Sequence, residues 1–531
     1  MSGKEKKNYW IYREVPSVSP ASRYLLNVLV ACGIISVASL SDWWFREVHI
    51  GNLALYLTLS VVLWWSLIRL TIQWISYLKI KKPQEVSAPE GLRVAIFTTS
   101  SPGEPLSMFD KTLEACKNIR YPHTTYLLDD TGDPRFGEIA LKHGAVPMEL
   151  IGYPGAKAGK INEALKRTSE EFILVLDPDH IPFPCFLDKV LGYFTDPEVG
   201  YVQVSQAYYN QYRSFTAKGA AEQTYNFYGP TQMSLYGFNS AVAIGANCTF
   251  RRAALESAGG HGVGLAEDLV TAIRIHGQGW RSVYAPIIVS RGLVPEEIGS
   301  FSKQQLKWAR GVHEVLFDEL PQNRGRLTFW QRLSYFTIGT YYLNGLTVFL
   351  FIVIPYLFLW FGILPAKMNF TDFIIRWLPV GISGTAIYIY VQRWLCHREV
   401  ERGTHWRGMV LKFASWPVFL LGFILSLLNR KIPYIPTSKK AVRGISPYIY
   451  AIIFQQLLFI ITLIVVIIRR KYFTEEASLA LSSGFIWGMV AFAFIPVVIS
   501  TGALYASWES MRINSAEPWK DIDLTKIQCN E

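Results

Sequence analysis

The chain has 531 residues, 50% hydrophobic and 14% aromatic, with 18% charged. That is poorer in charge than an ordinary soluble domain, and a purely soluble protein is excluded once several apolar runs reach the ~20 residues a bilayer-spanning helix needs. Basic cytoplasmic loops account for the net charge of +11 better than nucleic-acid binding does, and six scattered cysteines without metal-ligand or disulfide spacing suit a reducing cytosol.

Residues 1–23, "MSGKEKKNYWIYREVPSVSPASR", lack the apolar core and small-residue cleavage site of a signal peptide and read as a cytosolic leader. The apolar runs 24–41 and 51–77 predict two transmembrane helices within 24–82, the second carrying Arg69, whose stem can snorkel. "KIKKP" at 79–83 marks the cytosolic end of that helix. From 92 to 300 the chain turns soluble in character. Strand candidates "RVAIFT" (93–98), "TTYLLD" (124–129), "FILVLD" (172–177), "YVQV" (201–204) and "SVYA" (282–285) alternate with helical stretches such as "FDKTLEACKNI" and "KINEALKRT". The alternation predicts a mostly parallel α/β sheet with helices on both faces, which binds ligands beyond the carboxyl ends of its strands.

Apolar runs resume at 333–366, 377–392, 413–429, 444–468 and 477–508. If all of them spanned, the loop "RKIPYIPTSKKAVR" (430–443), with five cations, would lie outside, against the positive-inside rule. We therefore expect 409–428 to lie along the inner surface, leaving six spans. The strong apolarity of 409–428, and "RRK" at 469–471 facing outwards, argue the other way. The run 333–366 is too long for one span, so its first part is expected to be interfacial. The expected layout is a catalytic-type domain at 92–300, interfacial helices at 301–345, two spans at 346–395, an interfacial helix and basic loop at 396–447, two spans at 448–507 and a cytosolic tail at 508–531.

Five short motifs could carry chemistry. In "LVLDPDHIP", Asp177 and Asp179 flank a proline just past a strand, where paired carboxylates suit Mg2+ or Mn2+ bridging to phosphate; a capped turn is the alternative. "LLDDTGD" ends another strand with Asp129 and Asp130, which could accept hydrogen bonds from a base and ribose or simply form a turn. "GYPGAKAGKINEAL" sets Lys157 and Lys160 at a helix entry, a place that favours phosphate but also suits a solvated helix start. In "GLAEDLVTAIRIHGQGW", Glu267 and Asp268 could cap a helix, or Asp268 could act as general base. "SKQQLKWARG" offers Gln304 and Gln305 as hydrogen-bonding groups, Lys307 and Arg310 as cations for a diphosphate, and Trp308 as a flat face on which a sugar can stack. It equally suits an interfacial helix.

Taken in order, these motifs resemble the processive, membrane-embedded family 2 glycosyltransferases, whose pattern is D, D-x-D, (T)ED, Q-x-x-R-W. The resemblance runs from about residue 93 to 311 and, less specifically, through the flanking helices. It implies a cytosolic GT-A catalytic domain in a multi-pass membrane protein. Asp129 and Asp130 would hold the uridine, with Asp177 and Asp179 holding the diphosphate and its metal. Asp268 would be the base, beside Glu267, and Trp308 the acceptor platform at the mouth of a transmembrane channel. Two departures stand out: Lys307 replaces the usual Arg, losing its planar fork, and Ala266 replaces the usual Thr. "AEDLVTAIRIHGQGWRSVYAP" is similar to the cellulose-synthase branch, since hyaluronan and chitin synthases typically carry Arg where Leu269 stands. "RKIPYIPTSKK" is similar to that branch's gating loop, F-x-V-T-x-K, with Thr437 and Lys439 or Lys440 as equivalents. A cyclic di-GMP-binding PilZ domain is not expected after the last span. The resemblance implies UDP-glucose and a growing β-glucan as substrates, with membrane lipid around the helices. A hyaluronan- or chitin-type synthase, a non-processive lipid glycosyltransferase and a non-catalytic transporter are the competing readings.

Overall fold

A computed structural model describes residues 9–430, 432, 438–472 and 483–529. Its centre is a seven-stranded sheet. We number the strands β1 (Val94–Thr99), β2 (Thr124–Asp129), β3 (Val146–Glu149), β4 (Phe172–Val175), β5 (Val199–Val204), β6 (Cys248–Arg251) and β7 (Arg281–Ala285). Their order across the sheet is β3-β2-β1-β4-β6-β5-β7, and β6 alone runs antiparallel to its neighbours. Strands β1, β4 and β5 are buried at every position, as parallel strands covered on both faces should be. The result is the mostly parallel α/β sheet that the alternating pattern predicts, with the Rossmann-like, GT-A-type architecture that the resemblance implies.

Two strands escaped the sequence reading. β3 is the four-residue edge strand "VPME", and its Pro147 reads as a breaker; an edge tolerates proline because one side needs no donor. β6, "CTFR", is equally short and interrupts the parallel alternation.

Six helices among the described residues are long and apolar enough to cross a membrane: Pro20–Trp44, Leu53–Tyr77, Phe329–Phe361, Phe370–Trp394, Ile449–Arg469 and Phe485–Ser510. The chain is a membrane protein with its α/β domain inserted between the second and third of these. The third is interrupted at Tyr341–Leu343 by a turn of 3₁₀ helix. Arg69 is half-buried. Its guanidinium donates to the Thr337 carbonyl at 2.9 Å and to the Thr340 hydroxyl, satisfying groups beside that interruption. The helices Trp406–Ala414 and Trp416–Leu427 meet at a 46° bend. The first leans on the α/β domain, where Leu411 packs against Gly219, and the second on the helix Ile298–Glu314, where Gly422 packs against Ala309.

The chain's ends are tied to the sheet domain. Arg13–Glu14 pairs antiparallel with Ile287–Ile288, and the Tyr12 amide donates to the Gln528 carbonyl at 2.8 Å. The cysteine spacing suggests no disulfide, but Cys185 and Cys529 are bonded; 344 positions separate them, so no local spacing could reveal the pair.

Candidate active site

The carboxyl ends of β1, β2 and β4 open into a cavity of about 460 Å³. The strand ends deliver its acidic groups. Past β2, Asp130 accepts from the Gly152 amide at 2.6 Å and from the Lys160 ammonium at 3.1 Å. Asp129 sits one layer back, buried, where it accepts from the Ser100 hydroxyl and from the Thr131 amide and hydroxyl. It shapes the turn and is not among the cavity-lining residues.

The helix Ala156–Arg167 brings the lysines. Gly155, at φ +90°, makes the left-handed entry that turns this helix towards the strand ends. Lys157 is buried and donates to Asp177 at 2.5 Å and to the Gly245 carbonyl at 2.9 Å. Burial would lower its pKa, but Asp177 and Glu267 win and raise it. Lys160 also donates to the Ser100 carbonyl at 2.7 Å.

Asp177, Asp179 and His180 present one donor atom each, all within 4.8 Å of one another. Carboxylate oxygens with an imidazole suit a hard or borderline divalent cation, so these residues fit such an ion. A chain cation already stands against them. Lys439 donates to Asp179 at 2.9 Å, while His180 contacts the other oxygen at 3.0 Å. Burial pushes the Asp179 carboxyl up, but Lys439 and His180 outweigh it and hold the group well below the usual range.

Opposite stands the helix Glu267–Gly277. Ala266 gives it no side-chain cap, and its first turn carries Glu267 and Asp268. Burial raises both carboxyls, Glu267 to about 7 against the pull of Lys157. The helix Ile298–Glu314 closes the cavity with Phe301, Gln304, Gln305, Lys307 and Trp308, residues spaced to share neighbouring faces. It comes that close because residue 311 is glycine: a Cβ there would lie 2.7 Å from the Ala266 amide nitrogen.

Asp130, Lys157, Lys160, Asp177, Asp179, Glu267, Asp268, Gln304, Gln305, Lys307, Trp308, Lys439 and Lys440 therefore line one cavity. Arg310 does not. It pairs with Glu314 at 3.0 Å and donates to the Arg430 carbonyl at 3.0 Å, so it fastens its helix to the chain just past the helix Trp416–Leu427. Thr437 lies outside the described residues. The sequence reading missed Glu104, which lines the cavity and whose burial raises its pKa to about 7. It also left His180 unused, although that residue directly follows the D-x-D. Only the "DPDH" adjacency signalled His180; the turn "SSPGEP" gave no sign of Glu104.

The family model "Glycosyl transferase family group 2" matches residues 172–506. The UDP-forming cellulose synthase catalytic subunit of Komagataeibacter sucrofermentans is 31% identical over 270 residues, 49% of this chain and 36% of that protein. A UDP-forming cellulose synthase 1 catalytic subunit from Komagataeibacter xylinus is 25% identical over 419 residues, 75% of this chain and 55% of that one. The chain thus spans from about a third to just over half the length of these relatives. Among solved structures, a mannosyltransferase from Pyrobaculum calidifontis in complex with GDP-Man and Mn2+ aligns with a TM-score of 0.45 and 16% identity, covering 71% of this chain and 99% of that one.

Proposed function

The chain belongs to glycosyl transferase family group 2, and from that premise we propose that it is a processive, inverting synthase that polymerises glucose from UDP-glucose into a β-glucan. In this reading the catalytic domain faces the cytosol, six helices span, the bent pair 406–427 lies on the inner surface, and the product leaves between the chain's own helices. The observation that carries the proposal is the meeting of Asp268 and Trp308 in one cavity with the D-x-D and the lysines. The two relatives' description as UDP-forming cellulose synthase subunits supports the choice of donor and product.

Each group has work to do. UDP-glucose enters with its base and ribose near Asp130 and its diphosphate towards Asp177 and Asp179. Mg2+ or Mn2+, held by Asp179, Asp177 and His180, would neutralise diphosphate charge when bound. Lys157, Lys160 and Lys307 add fixed positive charge on the same anion. The terminal sugar of the glucan stacks on Trp308 and orients one hydroxyl towards the donor's C1. Asp268 takes the hydroxyl proton as the new C–O bond forms on the face opposite the departing UDP, which leaves with the electrons of the broken C1–O bond. A carboxyl held up by burial is a stronger base than an exposed one, which suits Asp268 to this step.

The test is to supply the purified protein with labelled UDP-glucose, and separately UDP-N-acetylglucosamine, and digest any polymer with linkage-specific glucanases. Polymer made from UDP-N-acetylglucosamine alone would favour the chitin-type reading, and polymer that needs UDP-glucuronate as well the hyaluronan-type; single-sugar addition to lipid would sink processivity.

A further inference from the structure

We propose that the Cys185–Cys529 bond is a redox modification site, acted on by small thiols and disulfides, that holds a strap formed by Lys439 and Lys440 over the acidic cluster. It rests on the reading that this side of the protein faces the cytosol, where persisting disulfides are rare and those that form are usually redox-sensing.

The bond joins the two ends of a continuous mechanical path. Cys185 lies six positions after Asp179, and Ile181, Phe183 and Cys185 between and at its end are buried, so it is rigidly continuous with the cluster. Cys529 lies in the C-terminal tail. That tail is pinned by Trp519, fully buried, whose indole N–H donates to the Ser107 hydroxyl at 3.0 Å. Next to it Glu517 accepts from Ser107 at 2.8 Å and pairs with Lys440 at 2.6 Å. The neighbour of Lys440 is Lys439, whose ammonium neutralises Asp179. The tail that the disulfide secures therefore holds, through Glu517, the strap whose lysine occupies the carboxylate a divalent cation would need.

The chemistry is thiol–disulfide exchange. Cys185 is buried and Cys529 is partly exposed, so an incoming thiolate reaches the Cys529 sulfur. It forms a mixed disulfide there, and the Cys185 sulfur leaves as a thiolate and takes up a proton. The second thiol of a dithiol then displaces the Cys529 thiol and closes its own disulfide. Two electrons and two protons pass to the protein, and a small oxidised disulfide reverses the reaction. Without the cross-link the tail loses a constraint on local opening.

The experiment uses the full chain in nanodiscs, oxidised or treated with a dithiol. Lysine acetylation by an amine-reactive ester is read by mass spectrometry, and affinity for Mn2+ with UDP is measured alongside. Reduction should raise labelling of Lys439 and Lys440 at least about fivefold and tighten Mn2+–UDP binding about threefold. Cys529→Ser should behave as reduced without any reductant. Glu517→Gln should raise the same labelling with the disulfide intact, which separates the clasp from any folding defect in the cysteine variant. Equal labelling of the oxidised and reduced proteins, or full alkylation of both cysteines in protein handled without reductant, overturns the proposal. If UDP binds neither form while labelling still responds, the nucleotide reading falls and the clasp stands.

Discussion

Lys439 and Asp179, 260 positions apart, meet at 2.9 Å in the cavity. One oxygen of Asp179 faces this ammonium and the other faces His180. A buried carboxylate is stable only when its charge is matched. Here a lysine supplied by the basic loop does the matching, in the place where a substrate-borne cation would do it.

A divalent ion entering with a nucleotide must therefore displace or join Lys439. We expect turnover to require Mg2+ or Mn2+ and Asp179→Ala to abolish it. Transfer that persists undiminished in excess chelator refutes the metal role of Asp177, Asp179 and His180.

Asp268→Asn should cut transfer about 10²–10⁴-fold, because an amide keeps the shape but accepts no proton. UDP affinity, measured by calorimetry, should stay near the parent's. A variant that loses UDP binding yet turns over whatever donor it captures would reverse the assignment.

Lys307 stands on the same helix as Trp308 and lines the cavity, where Arg310 does not. Lys307→Ala should lower turnover strongly, while Lys307→Arg should preserve or raise it through bidentate contact with the diphosphate. Full turnover in the alanine variant would shift that role to Lys157 and Lys160.

Trp308 is about one-third exposed, at 37%, so its ring is available as a stacking face. Trp308→Ala should bind UDP as the parent does yet make little long polymer, since stacking holds distance while allowing the chain to slide. Product length by gel decides it: parental lengths would leave the tryptophan a membrane-surface residue.

Glu267 supplies a pH test of the fold itself. Burial pushes its carboxyl in the folded protein up to about 7, above the ordinary 4.5 of an exposed glutamate. The favourable protonated state is therefore fully present below about pH 4.5, and its contribution is lost as pH rises towards 7, where the unfolded chain ionises more readily. Glu267→Gln should gain stability relative to the parent across that window and level off above it. Melting temperatures of both proteins at pH 5 and pH 8 measure it; a constant offset would mean that Lys157 neutralises Glu267 fully.

The sheet and its cavity were legible because the chemistry-bearing residues follow strand ends, where local pattern and function coincide. Asp177 could be placed from "FILVLD" alone. Arg310 could not, since its partner is the carbonyl of Arg430, and no pattern within "SKQQLKWARG" distinguishes a cavity cation from one that fastens a helix. Glu104 and Asp129 fail in opposite senses. The first lies in an irregular turn with no periodicity to mark it, and the second sits in a motif but is spent on its own turn through Thr131. The disulfide and the Lys440–Glu517 pair depend on long-range closure that no window of sequence contains.

The pairing of Tyr12 with Gln528 sets an order on synthesis. Trp10 packs against Phe183 and Tyr209, and its carbonyl accepts from the Gln528 amide at 2.9 Å. Trp10 and Tyr12 are translated before the six membrane-type helices of the described residues, and Gln528 after all six. Through that interval of translation the sheet domain waits with an unfinished margin. Closure of that margin thus reports that the six helices between its two halves have been made, and a chaperone or protease that reads the open margin would discriminate chains with all six from chains that lack one.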